Sequence, residues 1–252
     1  MRWKQARKYC LTMVCTFVLT YATMGWAQNN DDKSDIQKRL DASADVINQI
    51  MGTDKSIPDK IMSSAECIAV VPSLVKVAFV FGGKHGKGVA SCRTANGWSA
   101  PVPITITGGS WGLQIGAQAI DLVMLTMHEK DMDDLLSSKF KIGAGAAAAA
   151  GPVGREGSAN TDWKMKTEIL TYSRSRGVFA GVDLSGAAVT QDKDETRILY
   201  GKMEPFSAIL SGRVAPPQGS QTFMAAVKKF SRQAKINGRL QTPSPAAVRP
   251  AE

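Results

Sequence analysis

Short apolar runs separated by only a few residues restrict the fold of this chain more than any other feature. They cover Cys67–Val71, Val75–Phe81, Gly88–Arg93 and Trp98–Thr107, and Asn96-Gly97 between the last two is a strong hairpin-turn signal. A parallel crossover needs a dozen or more connecting residues, usually in a helix. The spacing therefore predicts a mostly antiparallel sheet, twisted or barrel-like.

Amphipathic helices are predicted on both sides of this sheet in the sequence. Residues 35–51 place one apolar side chain on the same helical face in nearly every turn, and the last such stretch lies within residues 216–240. Strands combined with flanking helices indicate the α+β class. The predicted organisation is a domain over residues 35–215, a C-terminal amphipathic helix over 216–240 and a disordered tail over 241–252.

A glycine-rich stretch, FVFGGKHGKGVASC, extends from Phe79 to Cys92. A Walker A loop needs Ser or Thr after Gly-Lys, but Gly88 follows Lys87, and Phe81 stands where the upstream glycine is required. The stretch is interpreted as a glycine-rich hairpin. Lys84 and Lys87 are expected at its loop tip, where they contact an anion or form a solvated basic turn.

The first 27 residues have the pattern of a secretory signal peptide. Basic residues precede an apolar run over Cys10–Met24, and Gly25-Trp26-Ala27 supplies small residues for cleavage before Gln28. The protein is therefore expected to be exported to the periplasm or cell envelope, with an uncleaved N-terminal anchor as the alternative. Residues 28–34 are predicted to be a disordered linker.

Net charge and cysteine content follow from this processing. The formal charge is +9, and without the four basic residues of the signal peptide it is +5. A mildly basic exported protein attracts anionic lipid weakly and is not expected to bind nucleic acid. Cys67 and Cys92 remain after cleavage, and an oxidising compartment favours a disulfide between them. The alternative is a pair of buried free thiols.

Motifs that suggest catalysis or metal binding are incomplete. Gly108–Gly112 reads G-x-S-x-G around Ser110, but the later acid and histidine that activate such a serine are not recognisable. His128-Glu129 lacks the second histidine of a zinc helix. Asp192–Glu195 lacks the spacing of a calcium loop and is interpreted as a solvated turn. No enzymatic activity, metal or cofactor is therefore predicted.

Four blocks of the sequence resemble the SYLF domain family, also called the yeast-type actin-binding domain. The blocks are AECIAVVPSLVKVAFVFGGKHGKGVASCR, GGSWGLQIGAQAIDLVML, SSKFKIGAGAAAAAGPVGR and ILTYSRSRGVFAGVDLSG. The resemblance extends from about Asp35 to Arg213. It implies a non-catalytic lipid-binding module, because eukaryotic members bind phosphoinositides through an amphipathic N-terminal segment and basic residues, and some bind actin.

The expected function is association with anionic lipid or a membrane surface. By position, the family's N-terminal segment corresponds to the helix that contains Lys38 and Arg39. The last predicted helix carries Lys228, Lys229 and Arg232 opposite its apolar stripe, which is typical of helices on anionic surfaces. The alternative is an envelope structural or protein-interaction module without a lipid ligand.

Overall fold

The computed structural model describes ten sheet strands and five helices. It covers residues 35–54, 56–78, 81–111, 116–127, 139–142, 148–153, 169–175, 178–179, 184 and 186–241. The predicted signal peptide, the linker over 28–34, the segment that contains His128 and Glu129, and the tail beyond residue 241 lie outside the described residues.

The elements follow one another along the chain as short strands between flanking helices. The helices are α1 (35–51), α2 (Asp59–Ser64), α3 (Lys193–Tyr200), α4 (Phe206–Leu210) and α5 (Gln221–Gln241). The strands are β1 (Cys67–Ala78), β2 (Phe81–Thr94), β3 (Gly97–Trp98), β4 (Val102–Trp111), β5 (Gly116–Thr126), β6 (Lys139–Lys141), β7 (Ala148–Ala150), β8 (Ile169–Ser175), β9 (Val178–Phe179) and β10 (Ala187–Gln191).

The strands form one sheet in the order β6-β10-β4-β2-β1-β5-β8-β7, with β3 paired to β2 and β9 to β8. The pairing is antiparallel throughout, except that β7 and β8 run parallel. The predicted α+β class and antiparallel sheet are confirmed. Among the described strands the path is open between β6 and β7, so the sheet is an open one rather than a closed barrel.

Each face of the sheet has its own hydrophobic core. One face of the sheet is covered by α1, α2 and α5, which pack on alternate strand residues such as Val70, Val89 and Val123. We call it the helix face of the sheet. The opposite core joins residues such as Ile104 and Leu122 to α4. Because α5 contributes Phe223, Val227 and Phe230 to the helix-face core, it packs on the same sheet as α1. Its apolar stripe is therefore a packing surface.

Helix α1 confirms the amphipathic prediction for residues 35–51. Ile36, Leu40, Ala44 and Ile47 are buried, while Met51 is only half-buried at the C-terminal end. These positions recur every three or four residues, which aligns them along one helical stripe. Apart from Ser43, which is buried, the polar residues between them are exposed or half-buried, so the helix lies on the sheet with one face in solvent.

A bulge in β1 explains the glycines of the stretch Phe79–Cys92. Ser73 has φ 55°, and its N–H donates to the Asp121 Oδ1 at 3.1 Å. The extra residue brings β1 against β2, where a Cβ on Gly86 would lie 2.7 Å from the Val71 Cγ1. A Cβ on Gly88 would lie 2.1 Å from the carbonyl oxygen of Val70. Glycine is needed here for close packing between strands.

The loop-tip position predicted for Lys84 and Lys87 is therefore wrong. Both residues lie inside the continuous strand β2, and Lys84 is only 4% exposed. The sequence pattern misleads because glycine usually marks a turn, whereas here it permits two strands to approach each other closely. β1 and β2 pair antiparallel, but the glycines from Gly82 to Gly88 lie within β2 and not between the two strands, so the hairpin predicted over them is also wrong.

The predicted disulfide is confirmed. Cys67 and Cys92 are directly opposite in the β1–β2 ladder and are joined by a bond of 2.01 Å. Both cysteines belong to the core opposite the helix face and are almost fully buried. The bond therefore links the beginning of β1 to the end of β2 inside the sheet.

Candidate functional site: a basic face on α5

The basic residues predicted from the sequence fall into three environments in the structure. Lys38 on α1 is exposed and forms a surface ion pair with Asp35 at 3.1 Å. Lys84 is buried in β2 and has interaction partners of its own. Arg39 and Lys87 belong to an ion-pair network, and Lys228, Lys229 and Arg232 project from α5. The predicted lipid-binding residues thus do not form one surface.

The ion-pair network connects α1, β2 and the beginning of α3. The Lys87 Nζ lies 2.9 Å from the Asp192 Oδ2 and 2.8 Å from the Glu195 Oε1. Arg39 donates from its Nη1 to the Glu195 Oε2. Two cations therefore meet two carboxylates, and the charges of Arg39 and Lys87 are compensated within the fold. Because Arg39 of α1 and Lys87 of β2 both pair with Glu195, the network connects α1 to the sheet.

The pKa values of Lys87 and Asp192 in this network shift toward the charged forms. Burial disfavours the ammonium of Lys87, but hydrogen bonds and charge from Glu195 and Asp192 outweigh it and raise its pKa. Burial likewise disfavours the Asp192 carboxylate. The N–H of Glu195, the Lys87 ammonium and the Thr105 hydroxyl outweigh that effect and lower the Asp192 pKa. Both groups therefore remain ionised near neutral pH.

The interpretation of Asp192–Glu195 as a solvated turn is wrong. Asp192 is the N-cap of α3, because its side chain accepts a hydrogen bond from the Glu195 N–H at 3.1 Å. Glu195 is buried at the end of the first turn. An acidic N-cap followed three residues later by glutamate is a recognised helix-start pattern, so this signal was available in the sequence.

The outer face of α5 carries a continuous basic surface. Lys228, Lys229, Arg232 and Lys235 recur at helical spacing and are all exposed. The 21 residues of α5 contain no aspartate or glutamate. In the described part of the chain, no ion pair compensates these four cations. We call Lys228, Lys229, Arg232, Lys235 and Ile236 the α5 basic face.

An exposed apolar side chain lies within this face. Ile236 is 53% exposed, and together with Ala225, Gln233, Asn237 and the neighbouring cations it lines a shallow depression along the helix. Helical spacing places Ile236 one turn beyond Arg232. The predicted site residues of this helix were only its cations, and Ile236 was not identified from the sequence. The combination of apolar and cationic side chains suits a surface that is both anionic and partly apolar.

The motifs considered for catalysis and metal binding do not assemble into a site in the described residues. Ser110 belongs to β4, paired with Gly82 of β2, so its backbone follows an ordinary strand. Within the described ranges, no three histidine, cysteine, aspartate or glutamate side chains lie together as metal ligands. Among the described helices, none has the length and apolar character needed to span a bilayer.

The fold and this surface define an α+β domain that presents a basic helix face to its surroundings. The sequence model of the Ysc84 family, described as "Las17-binding protein actin regulator", matches residues 107–230. The chain belongs to the Ysc84 family, that is, the SYLF-domain family indicated by its sequence blocks.

Relatives in yeast and mammals share this domain. The chain is 32% identical over 192 residues to LAS seventeen-binding protein 3 of Saccharomyces cerevisiae, covering 73% of this chain and 41% of the relative. It is 31% identical over 181 residues to protein YSC84 of the same yeast, covering 70% and 38%. It is 26% identical over 219 residues to the SH3 domain-containing YSC84-like protein 1 of Bos taurus, covering 84% and 64%. The chain thus spans about two fifths of the yeast relatives' length.

Proposed function

We propose that this protein is an exported, non-catalytic member of the Ysc84 family that binds anionic membrane surfaces. The observation that supports this proposal most directly is the α5 basic face, where four exposed cations lack an acidic partner in the described residues. Each basic residue close to an anionic bilayer contributes about 1 kcal/mol to binding. The combined binding free energy of the four cations is therefore sufficient to hold the domain at a surface rich in anionic lipid.

The α5 basic face is a better lipid-contact surface than the other predicted residues. Arg39 and Lys87 already have carboxylate partners, and their release for an anionic lipid would leave Glu195 and Asp192 uncompensated. Removing one partner from such a partly buried network is costly. Lys38 is freely exposed but has Asp35 beside it. Lipid headgroups therefore compete least with protein carboxylates for the cations of α5.

Sedimentation with vesicles tests this proposal. Residues 28–252, which include the whole described fold, are mixed with phosphatidylcholine vesicles with or without phosphatidylglycerol. Binding is expected only with the anionic vesicles and is expected to weaken as salt rises. The triple variant Lys228→Glu, Lys229→Glu and Arg232→Glu should lose about a hundredfold in affinity.

A matched control separates the position of the charges from net charge. Lys193, Lys202 and Arg213 are exposed and lie outside α5, so reversing all three changes the net charge by the same amount. This variant is expected to retain most of the binding. Equal losses in the two triple variants would show that α5 has no special role. Recovery of the unmodified protein in the supernatant with both vesicle types would reject lipid binding.

Export is the second part of the proposal and rests on the pattern of the first 27 residues. Expression with the native N-terminus in a bacterial host should yield a periplasmic or envelope protein whose N-terminal residue is Gln28. N-terminal sequencing of the fractionated protein measures this directly. A chain that begins at Met1 and stays with the cytoplasmic fraction would contradict export, whatever the result with vesicles.

A protein-binding role is the second candidate, and the names of the relatives favour it. LAS seventeen-binding protein 3 is named for a protein partner. If this chain works in the same way, crosslinking in the native cell envelope traps one protein partner, and vesicle binding is absent. A cationic, partly apolar helix face also suits an acidic protein surface, so the vesicle experiment decides between the two candidates.

A further inference from the structure

A second exposed surface lies at the end of the sheet, away from the helices. Val75 and Val77 of β1 are 43% and 52% exposed. Their cross-strand neighbours on β2 and β5, and the β4 residues that pair with those of β2, are also exposed, and most are very small. We call this surface the sheet-tip face; it consists of Val75, Val77, Gly83, His85, Thr107, Gly109, Ala117 and Ala119.

These residues continue the face that the helices cover elsewhere. His85 and Gly83 alternate in register with Val89, which packs beneath the helices, and Ala119 does so with Val123. The bulge at Ser73 shifts β1 by one residue, so Val75 lies on the same side as Val70. The sheet thus extends beyond the described helices, with two exposed valines on a surface of small side chains.

The sequence at this end of the sheet is unusual for a surface. From Cys67 to Ile120 it contains no aspartate or glutamate, and from Pro101 to Ile120 no charged residue. The described ends of these strands lie together, since Phe81 pairs with Trp111 and Ala78 with Gly116.

We propose that the sheet-tip face enters the headgroup and upper acyl region of an anionic phospholipid bilayer. Apolar side chains are stabilised by leaving water, and none of the eight residues of the face is acidic, so the face itself does not repel anionic headgroups. Asp121, two residues beyond Ala119 on β5, accepts a hydrogen bond from the Ser73 N–H. A second copy of the chain is a poorer occupant. The face has eight residues, whereas a stable protein interface uses about 20 to 30 residues on each side.

This proposal rests on membrane association but not on α5. Arg93 of β2 contacts Ser231 of α5 and is ten residues further along the strand than Gly83. At about 3.3 Å per residue, the two positions are about 33 Å apart. The sheet-tip face and the α5 basic face are therefore separate surfaces, and variants of one leave the other unchanged.

A polarity-sensitive fluorophore at residue 77 tests the insertion. Val77→Cys is labelled in residues 28–252, where both native cysteines form the buried disulfide. The matched control is Val153→Cys, since Val153 is another exposed valine, at 37%. With anionic vesicles, the label at 77 should shift to the blue and be quenched by lipids that carry a spin label in the acyl chain. The label at 153 should show neither effect.

Acidic substitutions provide the second measurement. Val75→Asp and Val77→Asp should each weaken vesicle binding at least about tenfold, because a carboxylate is costly inside a bilayer. Val153→Asp should have no effect. If the α5 variants lose binding while Val77→Asp keeps it, the sheet-tip face does not insert and the proposed function stands. The reverse result supports insertion and rejects the role of α5.

The remaining outcomes also decide the question. A label at 77 that stays in water while the protein sediments with vesicles overturns the insertion and leaves membrane binding intact. A blue shift that appears without vesicles as protein concentration rises identifies a second copy as the occupant and overturns the proposal. Full recovery of the protein in the supernatant rejects both membrane binding and insertion.

Discussion

Gly88 packs directly against the backbone of Val70, on the neighbouring strand. A Cβ on Gly88 would lie only 2.1 Å from the Val70 carbonyl oxygen, well inside the contact limit of two atoms. The contact occurs beside the bulge in β1, where the strand changes the face to which its side chains point. The two residues therefore determine how β1 and β2 approach each other in the middle of the sheet.

Gly88→Ala is expected to destabilise the fold by about 1 to 3 kcal/mol, because the added methyl group forces the two backbones apart. Urea denaturation followed by circular dichroism measures the change. Gly83→Ala is the control, since a Cβ at that position meets no atom within 4 Å. Its free energy of unfolding should be equal to or slightly above that of the unmodified protein. Equal effects of both substitutions would show that the close approach does not matter.

The region around this contact shows why the sequence predicted that strands are present but did not predict the bulge in β1. The apolar runs Cys67–Val71 and Val75–Phe81 predict two separate strands, since Pro72 ends the first. The structure joins them into β1 through Ser73, whose N–H is satisfied by Asp121, a residue 48 positions away. Periodicity identifies local runs, but a bulge stabilised by a distant side chain leaves no local signal.

The candidate site likewise has one part that the sequence predicts and one part that depends on tertiary contacts. The α5 basic face could be predicted, because its cations recur at helical spacing opposite an apolar stripe. The compensation of Arg39 and Lys87 could not, because it depends on the tertiary approach of α1 and β2 to Glu195. A lysine or arginine in a sequence shows that a cation is present. Whether that cation is free depends on residues more than a hundred positions away.

Removal of the disulfide between Cys67 and Cys92 should destabilise the protein by about 3 kcal/mol, since the bond closes a loop of 25 residues in the unfolded chain. The double variant Cys67→Ala and Cys92→Ala removes the bond without leaving thiols. Its urea midpoint should fall and should no longer respond to a reductant. The unmodified protein should show a similar fall when it is unfolded in reductant. An unchanged midpoint in both experiments would show that the bond adds no stability.

Arg93 is expected to be a stability residue that lysine cannot replace. Its Nε donates to the Ala65 carbonyl at 3.1 Å, and its guanidinium lies 4.7 Å from the ring centroid of Trp98. Lysine cannot make both contacts in one geometry, so Arg93→Lys should cost about 1 to 2 kcal/mol. Thermal and urea unfolding measure the loss. Arg174→Lys is the control: it removes one exposed hydrogen bond to Gln49 and should change stability by less than about 0.5 kcal/mol.

Asp192 is expected to contribute to the stability of the fold at neutral pH and to lose this contribution in acid. Its pKa is lowered in the folded state, so its contribution is present above the unfolded pKa of about 3.9 and is lost as pH falls further. Asp192→Asn keeps a capping side chain on α3 but cannot ionise. The variant should be less stable at pH 7, and the two free energies of unfolding should converge as pH falls below about 4. Asp194→Asn removes a carboxylate from an exposed position of the same helix and is the matched control for the loss of one negative charge. Parallel profiles for the Asp192 variant and the unmodified protein would contradict this role, because a group that does not titrate differently on folding cannot change the slope.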